Sequence, residues 1–138
     1  ASLVYLQHEA AERPMVELLR RELPLTVLDA PPEELAAACA ELDLAVTNMM
    51  HAAIFAAGAC TPLVCLAYDV KQLGFMELLG ERDYLVRADR VDAGALFSLA
   101  CRALDEGAAF RARLGRRREE LWKDEEDFLC RLAAVING

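Results

Sequence analysis

The sequence predicts an α/β domain, a parallel sheet with helices on both of its faces. Three observations carry that prediction. Short apolar runs alternate with helix-like stretches in the order βαβαβαβαβα, the pattern of repeated strand–crossover–strand units. The most apolar runs, Leu44 to Val46 and Leu63 to Leu66, are continuous rather than alternating, as strands buried on both faces are. The chain has 138 residues and is 56 % hydrophobic, enough for one core and too apolar for disorder.

The elements follow in order. Ser2 to Leu6 reads as the first strand, with Gln7, His8 and Glu9 at its C-terminal end. Ala10 to Leu23 reads as an amphipathic helix, because Met15, Leu18, Leu19 and Leu23 recur near helical spacing. Pro14 fits its first turn and Pro24 stops it. Leu25 to Leu28 is a short second strand. Pro31, Pro32, Glu33 and Glu34 open a helix that runs to about Leu42, since prolines and acids suit a helix N-terminus. The third strand, Leu44 to Val46, leads through Thr47 and Asn48 into a helix of small residues carrying His51 in its first turn, with Thr47 or Asn48 as the capping side chain. A Gly-Ala-Cys-Thr-Pro turn enters the fourth strand, Leu63 to Leu66, which ends on Tyr68-Asp69-Val70-Lys71. Gln72 to Leu79 is a short helix closed by Gly80. Tyr84 to Val86 is the fifth strand. Val91 to Leu104 is helical, Glu106-Gly107 interrupts, and residues from about 110 to 136 form a long final helix. On it Leu114, Leu121 and Phe128 make a heptad-spaced stripe followed by Leu132, which suits packing on a domain better than a coiled coil.

The net charge of −8 argues against nucleic acid, because phosphate binding needs a cationic face. Five cysteines without a C-x-x-C pair read as buried free thiols in a reducing cytosol. Two histidines and no Cys/His cluster make a structural zinc site a poor reading. Leu44 to Tyr68 is apolar enough to raise a membrane span, but Asn48, His51, Gly58 and Pro62 break it into a strand–helix–strand unit, so no transmembrane segment is expected. The chain opens directly on a strand, with no signal peptide, which suggests one domain (residues 1–138) cut from a longer protein with an N-terminal partner domain.

Chemistry-bearing residues gather where strands end, the edge at which open parallel sheets bind ligands. In Asn48-Met49-Met50-His51 the free N–H groups of a helix start attract anions, and His51 could donate to a phosphate or act as general acid or base. The alternative is an ordinary helix start with a satisfied histidine. Tyr68, Asp69 and Lys71 offer a phenol, a carboxylate and an ammonium; the alternative is a solvated loop with Asp69 as helix cap. Gln7 and His8 carry the same edge argument more weakly. The arginines Arg111, Arg113 and Arg116 to Arg118 alternate with acids and read as a solvated, salt-bridged helix face. No phosphate-binding glycine motif and no G-x-S-x-G is present.

The run His51-Ala52-Ala53-Ile54-Phe55-Ala56-Ala57, then Thr61-Pro62-Leu63-Val64, then Tyr68-Asp69-Val70-Lys71 and Gly74 to Gly80 resembles the C-terminal half of the polysaccharide pyruvyltransferase family. Gln7-His8 after the first strand is also similar to the family's pattern. The resemblance is specific across Asp43 to Gly80 and loosely colinear elsewhere. It implies a Rossmann-like three-layer domain, the C-terminal half of a GT-B-type two-domain protein with its active site in the cleft between domains. It further implies transfer of a pyruvyl ketal from phosphoenolpyruvate to a sugar of a cell-envelope glycan precursor, lipid-linked or nucleotide-linked. Phosphate is released and no metal or organic cofactor is essential. By resemblance His51 contacts phosphoenolpyruvate or serves as acid, the helix start receives the anion, and the protein acts in the cytoplasm, membrane-associated through a lipid-linked substrate at most. An isolated domain would be inactive, with half of the cleft missing. That Tyr68, Asp69 and Lys71 line the cleft is our inference from their position.

One departure stands out. The family's Arg-Leu before the histidine is Met49-Met50 here. An arginine gives a doubly anionic substrate a charge-assisted, bidentate contact of ~1.5–3 kcal/mol. Three accounts stay open: the missing domain supplies that cation, the substrate differs, or catalysis is lost. The alternative function is therefore a non-catalytic or glycosyltransferase-like domain that binds a nucleotide sugar or glycan.

Overall fold

A computed structural model describes residues 2–7 and 9–136, with side chains through residue 131. It is an α/β fold with parallel strands, in the predicted element order. Leu3–Gln7 (β1) pairs in parallel with Leu25–Asp29 (β2), and Ala45–Thr47 (β3), Leu63–Ala67 (β4) and Leu85–Arg87 (β5) pair in the order β3-β4-β5. The helices are Arg13–Glu22 (α1), Pro32–Cys39 (α2), Met50–Gly58 (α3), Val70–Leu79 (α4), Ala93–Asp105 (α5) and Gly107–Ile136 (α6).

The expected single sheet is divided. Among the described residues no backbone ladder joins β1-β2 to β3-β4-β5. The core belongs to the second unit. Ala53, Ala56, Leu63, Val64, Cys65, Met76, Tyr84, Ala103, Phe110 and Leu114 form one buried cluster. Small residues on α3 let that helix lie close to the sheet, and β4, covered on both sides, buries Leu63, Val64 and Cys65 completely. The β1-α1-β2 unit buries much less. Of the α1 face that the periodicity selects, Met15, Leu18 and Leu23 are exposed and Leu19 is partly covered, while Val16 is buried. A two-stranded ladder offers too narrow a surface to cover the whole stripe.

Capping explains several boundaries. Gly80 ends α4 in the left-handed region, φ 75°, as the sequence predicts. Cys60 ends α3 in the same conformation at φ 57°, where its N–H reaches Ala57 O and the Thr61 N–H reaches Ala56 O. The turn is locked further by Thr61, whose hydroxyl donates to Cys39 O at 2.5 Å.

Helix α6 corrects two expectations. Its arginines do not form a merely solvated face. Arg111 donates to Leu42 O at 2.6 Å, Arg117 to Leu78 O at 2.6 Å and Arg118 to Gly58 O at 2.7 Å. Leu78 and Gly58 lie in the last turns of α4 and α3, where unpaired carbonyls and the negative end of the dipole favour a cation. The leucine stripe packs on the domain only in its first half. Leu114 is buried and Leu121 partly so, whereas Trp122 and Phe128 are exposed; the side chain of Leu132 lies outside the described residues. The same geometry corrects the cysteines. All five are free, but only Cys39 and Cys65 are buried, and Cys130 is exposed on the projecting half of α6. Burial pushes the Cys39 and Cys65 thiols up.

Candidate functional site

The strands β3, β4 and β5 run the same way, so their C-terminal ends form one edge. Register places Thr47 beside Cys65 and Ala67 beside Arg87. β4 therefore extends about 6–7 Å past the end of β3, and β3 and β5 stand two strand spacings, about 9–10 Å, apart across it. Two helices begin at this edge, α3 after β3 and α4 after β4.

The two helix starts differ. α4 is closed by its own side chains in a capping box. Asp69 accepts the Lys71 N–H at 2.9 Å, and Gln72 Oε1 accepts the Asp69 N–H at 3.2 Å. α3 has no side-chain cap. Its N-cap residue is Met49, so neither Thr47 nor Asn48 caps the helix as expected. Thr47 Oγ1 instead accepts the Met49 N–H at 2.9 Å, one residue before the helical turn. The first-turn N–H groups of α3 are thus left for another partner, and His51 stands exposed among them.

Gln72, which sequence reasoning passed over, binds the two edge loops together. It is almost fully buried, accepts the Tyr68 N–H at 2.8 Å as well as that of Asp69, and donates through Nε2 to Asn48 O. A buried amide can satisfy donors and acceptors at once, which suits a fastening role. The structure thereby joins Asn48 to Tyr68 and Asp69. Met49 and Met50 are half-buried, while Asn48, Tyr68 and Lys71 are exposed.

Beside Tyr68 and Asp69, at the ends of β4 and β5, lies a hollow of about 230 Å³ whose lining includes Arg87 and Asp89. Arg87 grips Asp89 with two bonds, Nε to Oδ1 at 2.9 Å and Nη2 to Oδ2 at 3.0 Å. The hydrogen bond to Asp89 raises the Arg87 guanidinium, and the same bond lowers the Asp89 carboxyl. Sequence reasoning missed this pair as well, although the edge argument, carried on to the fifth strand, points at Arg87.

Gln7 sits on the other ladder. It is buried and donates to Asp29 Oδ2 at 3.1 Å, with the Arg13 guanidinium 3.7 Å from the same oxygen. Its amide is committed to closing the β1-β2 edge. His8 lies outside the described residues. Among the described residues no three His, Cys, Asp or Glu side chains gather as they would to hold a metal ion, and no helix is long and apolar enough to cross a membrane.

Residues 3–70 match the family model for polysaccharide pyruvyl transferase. No curated protein and no solved structure gives a significant match. The matched stretch runs from β1 to the first residue of α4 and takes in both edge loops, with Met49, His51, Tyr68 and Asp69 inside it and Arg87 beyond it. Over that stretch the chain is similar to the polysaccharide pyruvyl transferase family.

Proposed function

We propose that this domain is the C-terminal half of a GT-B-type transferase that moves a pyruvyl group from phosphoenolpyruvate to a sugar, as a ketal. The observation that carries the reading is the uncapped start of α3 with His51 in its first turn, inside the stretch that matches the family. An anion placed there meets unpaired N–H groups and the positive end of the helix dipole. The neighbouring start of α4 is already filled by Asp69 and offers nothing comparable.

His51 then acts as general acid and protonates the methylene carbon of the enol. One sugar hydroxyl adds to the adjacent carbon and gives up its proton. Phosphate leaves, and a second hydroxyl closes the ketal and loses its proton. Of the two protons released, one restores His51 and the other goes with phosphate. An N-terminal domain completes the cleft, and the acceptor is a lipid-linked or nucleotide-linked glycan precursor on the cytoplasmic side. Asn48, Met49 and Met50 shape the donor side, and Tyr68, Asp69 and Lys71 line the cleft, while Gln7 supports the wall behind it.

Met49 favours a second reading. It stands at the N-cap of α3, where the resembling family carries an arginine, and a methionine supplies no charge to a phosphate. A domain that binds a nucleotide sugar without pyruvyl transfer fits that loss. Calorimetric titration of phosphoenolpyruvate into the full-length protein, beside a nucleotide sugar, separates the two. Phosphoenolpyruvate binding that disappears in His51→Ala supports the transferase. Binding of the nucleotide sugar alone overturns it.

A further inference from the structure

We propose that the hollow at the ends of β4 and β5 is a subsite for one neutral sugar ring, the acceptor of the reaction. This rests on the transferase reading and adds where the acceptor sits. The hollow, about 230 Å³, falls below the ~300–1,000 Å³ of pockets for drug-sized ligands and suits a single monosaccharide. Its lining combines an aromatic ring with planar polar groups. Tyr68 is 68 % exposed and lines the hollow, so its aromatic face is open to a ligand there. Val70 and Leu73 supply further apolar surface, and Asp69, Arg87 and Asp89 supply acceptors and donors. A sugar ring carries both surfaces, with C–H groups on its faces and hydroxyls at its rim that donate and accept.

Charge separates this hollow from the donor side. Two carboxylates face one guanidinium, and Asp89 already engages that guanidinium through two bonds. The lining is net negative and repels a phosphate or a carboxylate, whereas a neutral ring meets no such penalty. Anions are thereby directed to α3, on the far side of β4. The two strand spacings between β3 and β5, about 9–10 Å, are a distance that a sugar ring and its hydroxyl can span to reach a donor beside His51.

The test uses full-length protein and saturation-transfer NMR. The probes are methyl β-galactoside, methyl β-glucoside and methyl β-N-acetylglucosaminide, each with and without phosphoenolpyruvate. At least one should bind through its ring C–H face, and Tyr68→Ala should weaken it about tenfold or more, with an unchanged circular dichroism spectrum and phosphoenolpyruvate binding as internal control. Asp89→Asn should weaken it as well, through loss of an acceptor. Equal glycoside binding by wild type and Tyr68→Ala overturns the proposal, as does failure of all three probes at their highest soluble concentrations. If phosphoenolpyruvate fails to bind while a glycoside binds in a Tyr68-dependent way, the subsite stands and the pyruvyl reading falls.

Discussion

The two edges of the β3-β4-β5 sheet are built on opposite principles. At the edge where the strands begin, charged side chains are fastened. Arg113 holds the buried Glu81 through two bonds of 2.8 and 3.1 Å and reaches Glu106 at 2.9 Å. Arg111, Arg117 and Arg118 close backbone carbonyls, and Arg102 and Arg113 lie over the rings of Tyr84 and Phe110, which touch at a tilt of 53°. At the edge where the strands end, His51 and Lys71 are exposed and α3 starts without a cap. Gln72, the Asp69 cap and the Arg87–Asp89 pair tie that edge down, while the start of α3 stays open. The same kinds of residue are therefore structural on one side and free for chemistry on the other. What decides between them is whether a partner is already in place.

The sharpest way to break this comparison is to cut one group from each edge. His51→Ala should lower turnover by about 10²–10⁴, the usual worth of a general acid, while the urea midpoint stays where it was because the side chain is exposed. Arg113→Ala should do the reverse. It leaves Glu81, 4 % exposed, buried without its cation. Removing one partner of a fully buried pair costs ~3–5 kcal/mol; because Arg113 is itself 35 % exposed, roughly 2–3 kcal/mol is expected, read by urea unfolding. A stability loss in His51→Ala equal to that of Arg113→Ala would erase the distinction between the edges.

Gln72 sharpens it, because it is a buried, fastened group on the open edge that joins the two loops there. Gln72→Ala strands the N–H groups of Tyr68 and Asp69 and the carbonyl of Asn48. About 1–2 kcal/mol of stability should be lost, less than the full cost because water reaches these loops. Acceptor and donor binding should weaken together, since one amide spans both loops. If only stability falls and both affinities hold, Gln72 fastens the fold but not the site.

The sequence made the α/β class, the element order and the α3 start with His51 legible, because each rests on local signals: continuous apolar runs, small residues and turn chemistry. The division of the sheet was hidden, since pairing between β1 and β3 depends on contacts far apart in the chain. The roles of the arginines on α6 were hidden for the same reason. Alternation with acids is what a solvated face shows, and nothing local reveals that Gly58 O and Leu78 O await a donor. Gln72 reads as a polar residue in a helical first turn until the neighbouring loop is brought to it. The candidate site was thus legible as a place, and its fastening was not.

The smallest effect concerns acid. The Tyr84 hydroxyl and the Arg113 guanidinium beside Glu106 hold its carboxyl below the ordinary value of 4.5. A depressed carboxyl contributes stability when ionised, so its contribution is complete above pH 4.5 and fades as pH falls below it toward the folded-state value. Urea midpoints measured on either side of pH 4.5 should therefore converge for wild type and Glu106→Gln on the acid side, with wild type ahead above it. The carboxylate keeps contact with solvent, its side chain 37 % exposed, so the gap should be smaller than those of Arg113→Ala and Gln72→Ala and should shrink with added salt. Since Glu106 belongs to the fastened edge, phosphoenolpyruvate affinity should be the same in the two proteins above pH 4.5; a difference there would mean that the edges are coupled through the sheet and not independent.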